Sequence, residues 1–192
     1  MSDSLARNSA PLTKNPRLEL GLPAVAAVGF IAVAIALSLY QLFTAGVRPV
    51  GLFYQRGFHL AAVEVLAFLL FPLPGRNKNG PPLVAAWVLD GILIAVAIAT
   101  SLYLTINLDA IVGRAGVPSG WDIAMGAAAV VTLLEAGRRV LGWAISIIAV
   151  VFVAYAYLGP FLPGLLRHGG YGTGRIVGQL YLGQEGIYGI PL

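Results

Sequence analysis

The chain contains no cysteine, so disulfides, thiolate metal centres and thiol nucleophiles are excluded from the start. Charge is nearly as scarce. Asp, Glu, Lys and Arg together make up 10% of the 192 residues, against about 25% in an average soluble domain. The two histidines, His59 and His168, form no H-E-x-x-H pair, and neither a G-x-S-x-G turn nor a G-x-x-x-x-G-K-[ST] loop occurs. No catalytic set, metal site or cofactor is therefore expected, and the protein is not read as an enzyme. A basic face interleaved with aromatic residues is also missing, which argues against a nucleic-acid partner.

What fills the chain is apolar surface: 58% of residues are hydrophobic and the mean hydropathy is +0.85. Residues 21–47 include LPAVAAVGFIAVAIALSLYQLFTAGV without one ionisable side chain. At about 1.5 Å per helical residue, such a run crosses a hydrocarbon layer of roughly 30 Å. In lipid every backbone donor and acceptor must be satisfied within the protein, which leaves helices or closed barrels, and uninterrupted runs do not alternate as barrel strands do. The expected fold is thus all-α, a polytopic integral membrane helix bundle of about five transmembrane helices.

Residues 1–20 are polar, carry Arg7, Lys14 and Arg17, and read as a cytoplasmic tail. The long run after them lacks a small-residue cleavage pattern and is taken as a retained helix. A second span at 56–73 is apolar for about 17 residues, the lower limit for crossing, and includes His59 and Glu64. The third, 81–108, starts at Pro81-Pro82 and holds one charge, Asp90. A breaker-rich loop at 109–120 follows, in which Ser119 is placed to cap the next helix with Asp122 in its first turn. The fourth span, 121–137, is short and ends at the Arg138-Arg139 pair. A fifth, 140–158, is rich in Trp and Tyr. The glycines at 169, 170, 172 and 174 read as a flexible linker.

With the N-terminus inside, the inner loops hold Arg7, Lys14, Arg17, Arg76, Lys78, Arg138 and Arg139, and the outer ones Arg48, Arg56, Arg114, Arg167 and Arg175. The excess of Lys and Arg favours a cytoplasmic N-terminus.

A carboxylate at mid-bilayer costs about 2.5–3.5 kcal/mol on insertion scales, so Glu64 and Asp90 need partners or water. They could serve a proton relay or an ion pathway, but bonding to another helix, or facing a polar cleft between subunits, is the favoured reading. His59 lies five residues before Glu64, about 140° round a helix, and does not share its face. Glu135 precedes Arg138 and Arg139 by three and four residues, the spacing of a helical salt bridge, here with a cytoplasmic anchor; an anion site is the less favoured use. Gly91, Ala95 and Ala99, and Ala124 with Ala128, form small-residue stripes that suit close helix approach.

Residues 107–166, above all TLLEAGRRVLGW at 132–143, together with QEGIYGIP at 184–191, resemble the N-terminal part of fused permeases of the tripartite ATP-independent periplasmic (TRAP) transporters, TAXI subgroup. The resemblance implies a four-helix small-subunit-like membrane domain at 21–138, a connector helix at 139–166, and at 167–192 a linker leading to a large permease domain that is missing here, so that the chain reads as a fragment. It also implies sodium-driven import of a small organic solute at the bacterial inner membrane. The partners would be the large permease domain or subunit, a periplasmic solute-binding protein and the lipid bilayer. No ion or substrate site of that family maps onto these residues. Two alternatives stand beside it: a complete small subunit of another tripartite system such as the tricarboxylate type, or a proton-linked carrier using Glu64 and Asp90.

Overall fold

Helix boundaries follow local chemistry. The computed structural model describes residues 24–73, 84–114, 117–183 and 185–189; the polar tail at 1–20, and Arg76 and Lys78 in the loop between the second and third spans, lie outside them. The helices are α1 (Ala24–Gly46), α2 (Leu52–Leu70), α3 (Val84–Ile106), α4 (Leu108–Gly113), α5 (Gly120–Leu141), α6 (Trp143–Leu158) and α7 (Thr173–Val177), the last continuing into a π-helical turn at Gly178–Leu182. At the start of α5, Asp122 N donates to Ser119 Oγ at 3.2 Å while Ser119 N donates to Asp122 Oδ2 at 2.7 Å, a reciprocal capping box. Between α5 and α6 the chain turns at Gly142, whose φ of +86° is a conformation that favours glycine. Ser146 Oγ, donating to Leu134 O at 3.0 Å, ties the two helices beyond that turn.

The fold is an all-α helical membrane bundle. Among the described residues, four helical stretches are long and apolar enough to cross a bilayer: Ala26–Gly46, Val84–Ile106, Gly120–Leu141 and Trp143–Phe161. The expected second span is not among them. Gln55, Arg56, His59 and Glu64 lower the hydropathy of α2, and burial compensates: Gly57, Leu60, Ala62, Glu64, Val65, Ala67 and Phe68 are all enclosed. The fourth span is longer than expected, because α5 runs 22 residues and takes Arg138 and Arg139 inside the helix. The loop after α3 contains the single-turn helix α4.

Helices α2, α3 and α5 form the centre, with α1 packed on α2 and α6 on α5. Arg139 near the end of α5 meets Asp90 near the start of α3, and Tyr103 near the end of α3 meets Asp122 at the start of α5, so these helices run antiparallel. Two apolar clusters fill the interior. Leu60, Leu104, Ala129, Val177, Tyr181 and Tyr188 occupy the half towards Asp122, and Ala67, Phe68, Ala97 and Ala136 the half towards Arg139.

The small-residue stripe of α3 faces outward: Gly91, Ala95 and Ala99 are exposed, and the helix buries Asp90, Ala97, Thr100, Ser101 and Leu104 instead. On α5 the close approach uses Gly126 and Ala129, with Ala124 exposed. The glycine-rich stretch leads into α7, and residues 173–183 and 185–189 pack onto the bundle, with Tyr181 and Tyr188 almost completely buried.

Candidate functional site: an intramembrane charge cluster

Helical spacing brings Glu135, Arg138 and Arg139 onto one face of α5, as expected of residues three and four apart. Glu135 accepts from Arg138 Nε and Nη2 and from Arg139 Nε, each at 2.7 Å. Arg139 then reaches across to α3, where its Nη1 donates to Asp90 Oδ1 at 2.7 Å, and to Phe71 O beyond the end of α2 at 3.2 Å. The second oxygen of Asp90 accepts from Leu73 N at 3.3 Å, so this carboxylate also secures the chain leaving α2. The Arg139 guanidinium lies 4.9 Å over the Phe68 ring, and that of Arg138 the same distance over Trp143 at the start of α6. Four helices meet here.

Two carboxylates and two guanidiniums give this cluster no formal net charge. The Arg139 side chain is 3% exposed, against 20% for Arg138 and 23% for Glu135. Each guanidinium is engaged by a carboxylate, while Arg139 Nη2 is buried with no hydrogen-bond partner among the described residues.

Glu64 stands apart from the other four sequence candidates. It is 2% exposed on α2, with Leu60 and Phe68 one turn to either side, and these belong to the two different apolar clusters. A thin polar layer separates those clusters. In it Thr132 of α5 faces the Glu64 carboxyl, Ser101 Oγ and the Tyr188 hydroxyl lie 3.1 Å apart, and the Tyr181 hydroxyl donates to Thr100 O. Glu64 Oε1 has no hydrogen-bond partner among the described residues. His59 does not join it: its Nδ1 lies 2.7 Å from Gln41 Nε2, and Gln55 donates to Gln41 Oε1 at 3.2 Å, a link between α1 and α2.

At the opposite end Asp122 is fully buried and accepts from Tyr103 Oη at 2.8 Å and from Arg114 Nη2 and Ser119 N at 2.7 Å each. Sequence reasoning found the Ser119 and Asp122 pair from its three-residue spacing. It missed Arg114 and Tyr103, which reach Asp122 only because the α4 turn brings the chain back over α3. Outside the spans, Tyr188 O accepts from Arg56 Nη1 at 2.9 Å, and burial pushes the Tyr188 phenol up to about 12.

Among the described residues no three His, Asp or Glu side chains gather as metal ligands. A groove of about 530 Å³ between α1, α2 and α3 is lined mainly by apolar side chains such as Val33, Phe58, Val65 and Leu102 and does not include the charge cluster. No protein-family model, curated protein or solved structure matches the chain.

Proposed function

We propose that the chain is the small-subunit-like scaffold of a TRAP-type secondary active transporter that imports a small organic solute by sodium symport, and that it does not transport by itself. The observation that carries this reading is the use of charge: Asp90, Glu135, Arg138 and Arg139 neutralise one another where four helices join. Groups arranged in this way brace a frame. The resemblance at 107–166 and 184–191 supplies the transporter class, and a fixed frame is what a moving bundle works against in alternating access. The partners in this reading are the large permease domain or subunit and a periplasmic solute-binding protein. The setting is the bacterial inner membrane, with the N-terminus in the cytoplasm.

The unpartnered Glu64 oxygen favours one rival, a proton-linked carrier. That rival needs Glu64 and Asp90 in one aqueous cavity, whereas Asp90 is held by Arg139 and Leu73 N.

Proteoliposomes under an inward sodium gradient test the scaffold reading, loaded with this chain alone, with the large permease polypeptide alone, or with both, and supplied with solute-loaded binding protein. Uptake is expected only with both. Uptake by this chain alone, or full uptake without it, overturns the reading, and loss of uptake on Glu64→Gln in the complete system favours the rival.

A further inference from the structure

A second groove, of about 430 Å³, runs between α6 and the α7 segment. Its floor is apolar, made by Phe152 and Val153 of α6 with Ile176 and Leu180 opposite, and its rim carries Arg175 and Tyr171. Phe152 lies six residues before Leu158, the end of α6, or about 9 Å along the axis. Since Trp143–Phe161 is one of the bilayer-crossing stretches, the rim stands where hydrocarbon gives way to headgroups and the floor continues the lipid-facing surface inward.

Arg175 differs from the arginines of the two buried clusters. Arg114, Arg138 and Arg139 each hold a carboxylate, but Arg175 is exposed and its guanidinium meets only the Tyr171 ring, at 5.0 Å, among the described residues. The nearby acid, Glu185, accepts instead from Gln179, at 3.3 Å. The rim is held in place from behind. Tyr171 N donates to Ala156 O at 3.0 Å, and the Tyr171 ring stacks on His168, itself 3.1 Å from Tyr155 O. A fixed cation above an apolar trough at the depth of the headgroups is complementary to an anionic amphiphile whose charge and chain are similarly disposed.

We propose that this groove binds an anionic phospholipid, its acyl chain along Phe152, Val153, Ile176 and Leu180 and its phosphate on Arg175. The source of the phosphate is the lipid, since the floor contributes only if a chain is attached. Native mass spectrometry of the full chain in detergent, titrated with phosphatidylglycerol or phosphatidylcholine, tests this. Phosphatidylglycerol should bind about fivefold better, the factor that one basic side chain near a membrane surface contributes. Arg175→Gln should bring the two lipids level, Arg175→Lys should keep most of the preference, and Arg167→Gln, removing an exposed arginine outside the groove, should leave it intact. A preference that survives Arg175→Gln in a variant eluting as a single folded species, or equal binding of both lipids by the wild type, overturns the proposal. Displacement of phosphatidylglycerol by inorganic phosphate would do so too, by revealing a phosphate site that does not use the trough.

Discussion

Replacing Arg139 by Gln withdraws the donor shared by Asp90, Glu135 and the Phe71 carbonyl while leaving all three acceptors in place. Because the Arg139 side chain is 3% and that of Asp90 11% exposed, water cannot fully replace the lost bonds, and removing one member of such a pair costs about 3–5 kcal/mol. At about 2–4 °C per kcal/mol for a chain of this size, the melting temperature should fall by roughly 6–20 °C. Asp90→Asn should cost less, about 1–3 kcal/mol, because Arg139 keeps Glu135. The double variant carries the sharper test. With the charge on residue 90 already removed, Arg139→Gln no longer strands a carboxylate, so the pair should fall short of the summed single losses by more than 1 kcal/mol. Unfolding in detergent followed by circular dichroism, with gel filtration to check dispersity, measures all three. Additivity within about 0.5 kcal/mol would mean that the two residues do not act as a pair, and the brace would lose its support.

A Cβ on Gly126 would overlap a Val177 methyl and approach Tyr181 Cβ to 3.0 Å, so Gly126→Val should displace the α7 segment from α5, seen as faster proteolysis after Arg175, whereas Gly113→Ala, with open space around it, should not. Asp122→Asn removes the charge that Arg114 and Ser119 N share and should lower stability by about 1.5–3 kcal/mol, against about 1 kcal/mol for Ser119→Ala; equal losses would show that the cap, not the buried carboxylate, matters. The Tyr188 phenol ionises normally near 10 and in the fold near 12 because it is buried. Its contribution is complete below pH 10 and is lost as the pH climbs towards 12, so alkaline titration should loosen the segment in the wild type and less in Tyr188→Phe, with protease sensitivity as the readout.

The apolar runs at 21–47, 81–108 and 140–158 were legible because a helix that meets lipid on most of its circumference must be apolar nearly throughout. The Glu135, Arg138 and Arg139 contacts and the Ser119 cap were legible for a related reason: three- and four-residue spacings fix neighbours within one helix. Arg139 with Asp90 was not, since the residues are 49 apart and no local rule brings α5 against α3. The small-residue stripes left their neighbour open, because spacing marks a face without saying what that face meets; the stripe of α3 faces outward. The second span was harder to read for the opposite reason: its polar residues lower the hydropathy of a helix whose inner face is buried by its neighbours.

Composition and periodicity by themselves determined that this is a helical membrane protein, where most helices lie, and which charges could pair along one helix, since each depends on forces acting within a turn or against a uniform solvent. Only the tertiary structure decided that Asp90 holds Arg139, that Glu64 lies in a thin polar layer between two apolar clusters, and that Tyr181 and Tyr188 are buried in the bundle. Those outcomes depend on which helix faces become neighbours, and that is settled by packing the whole chain at once.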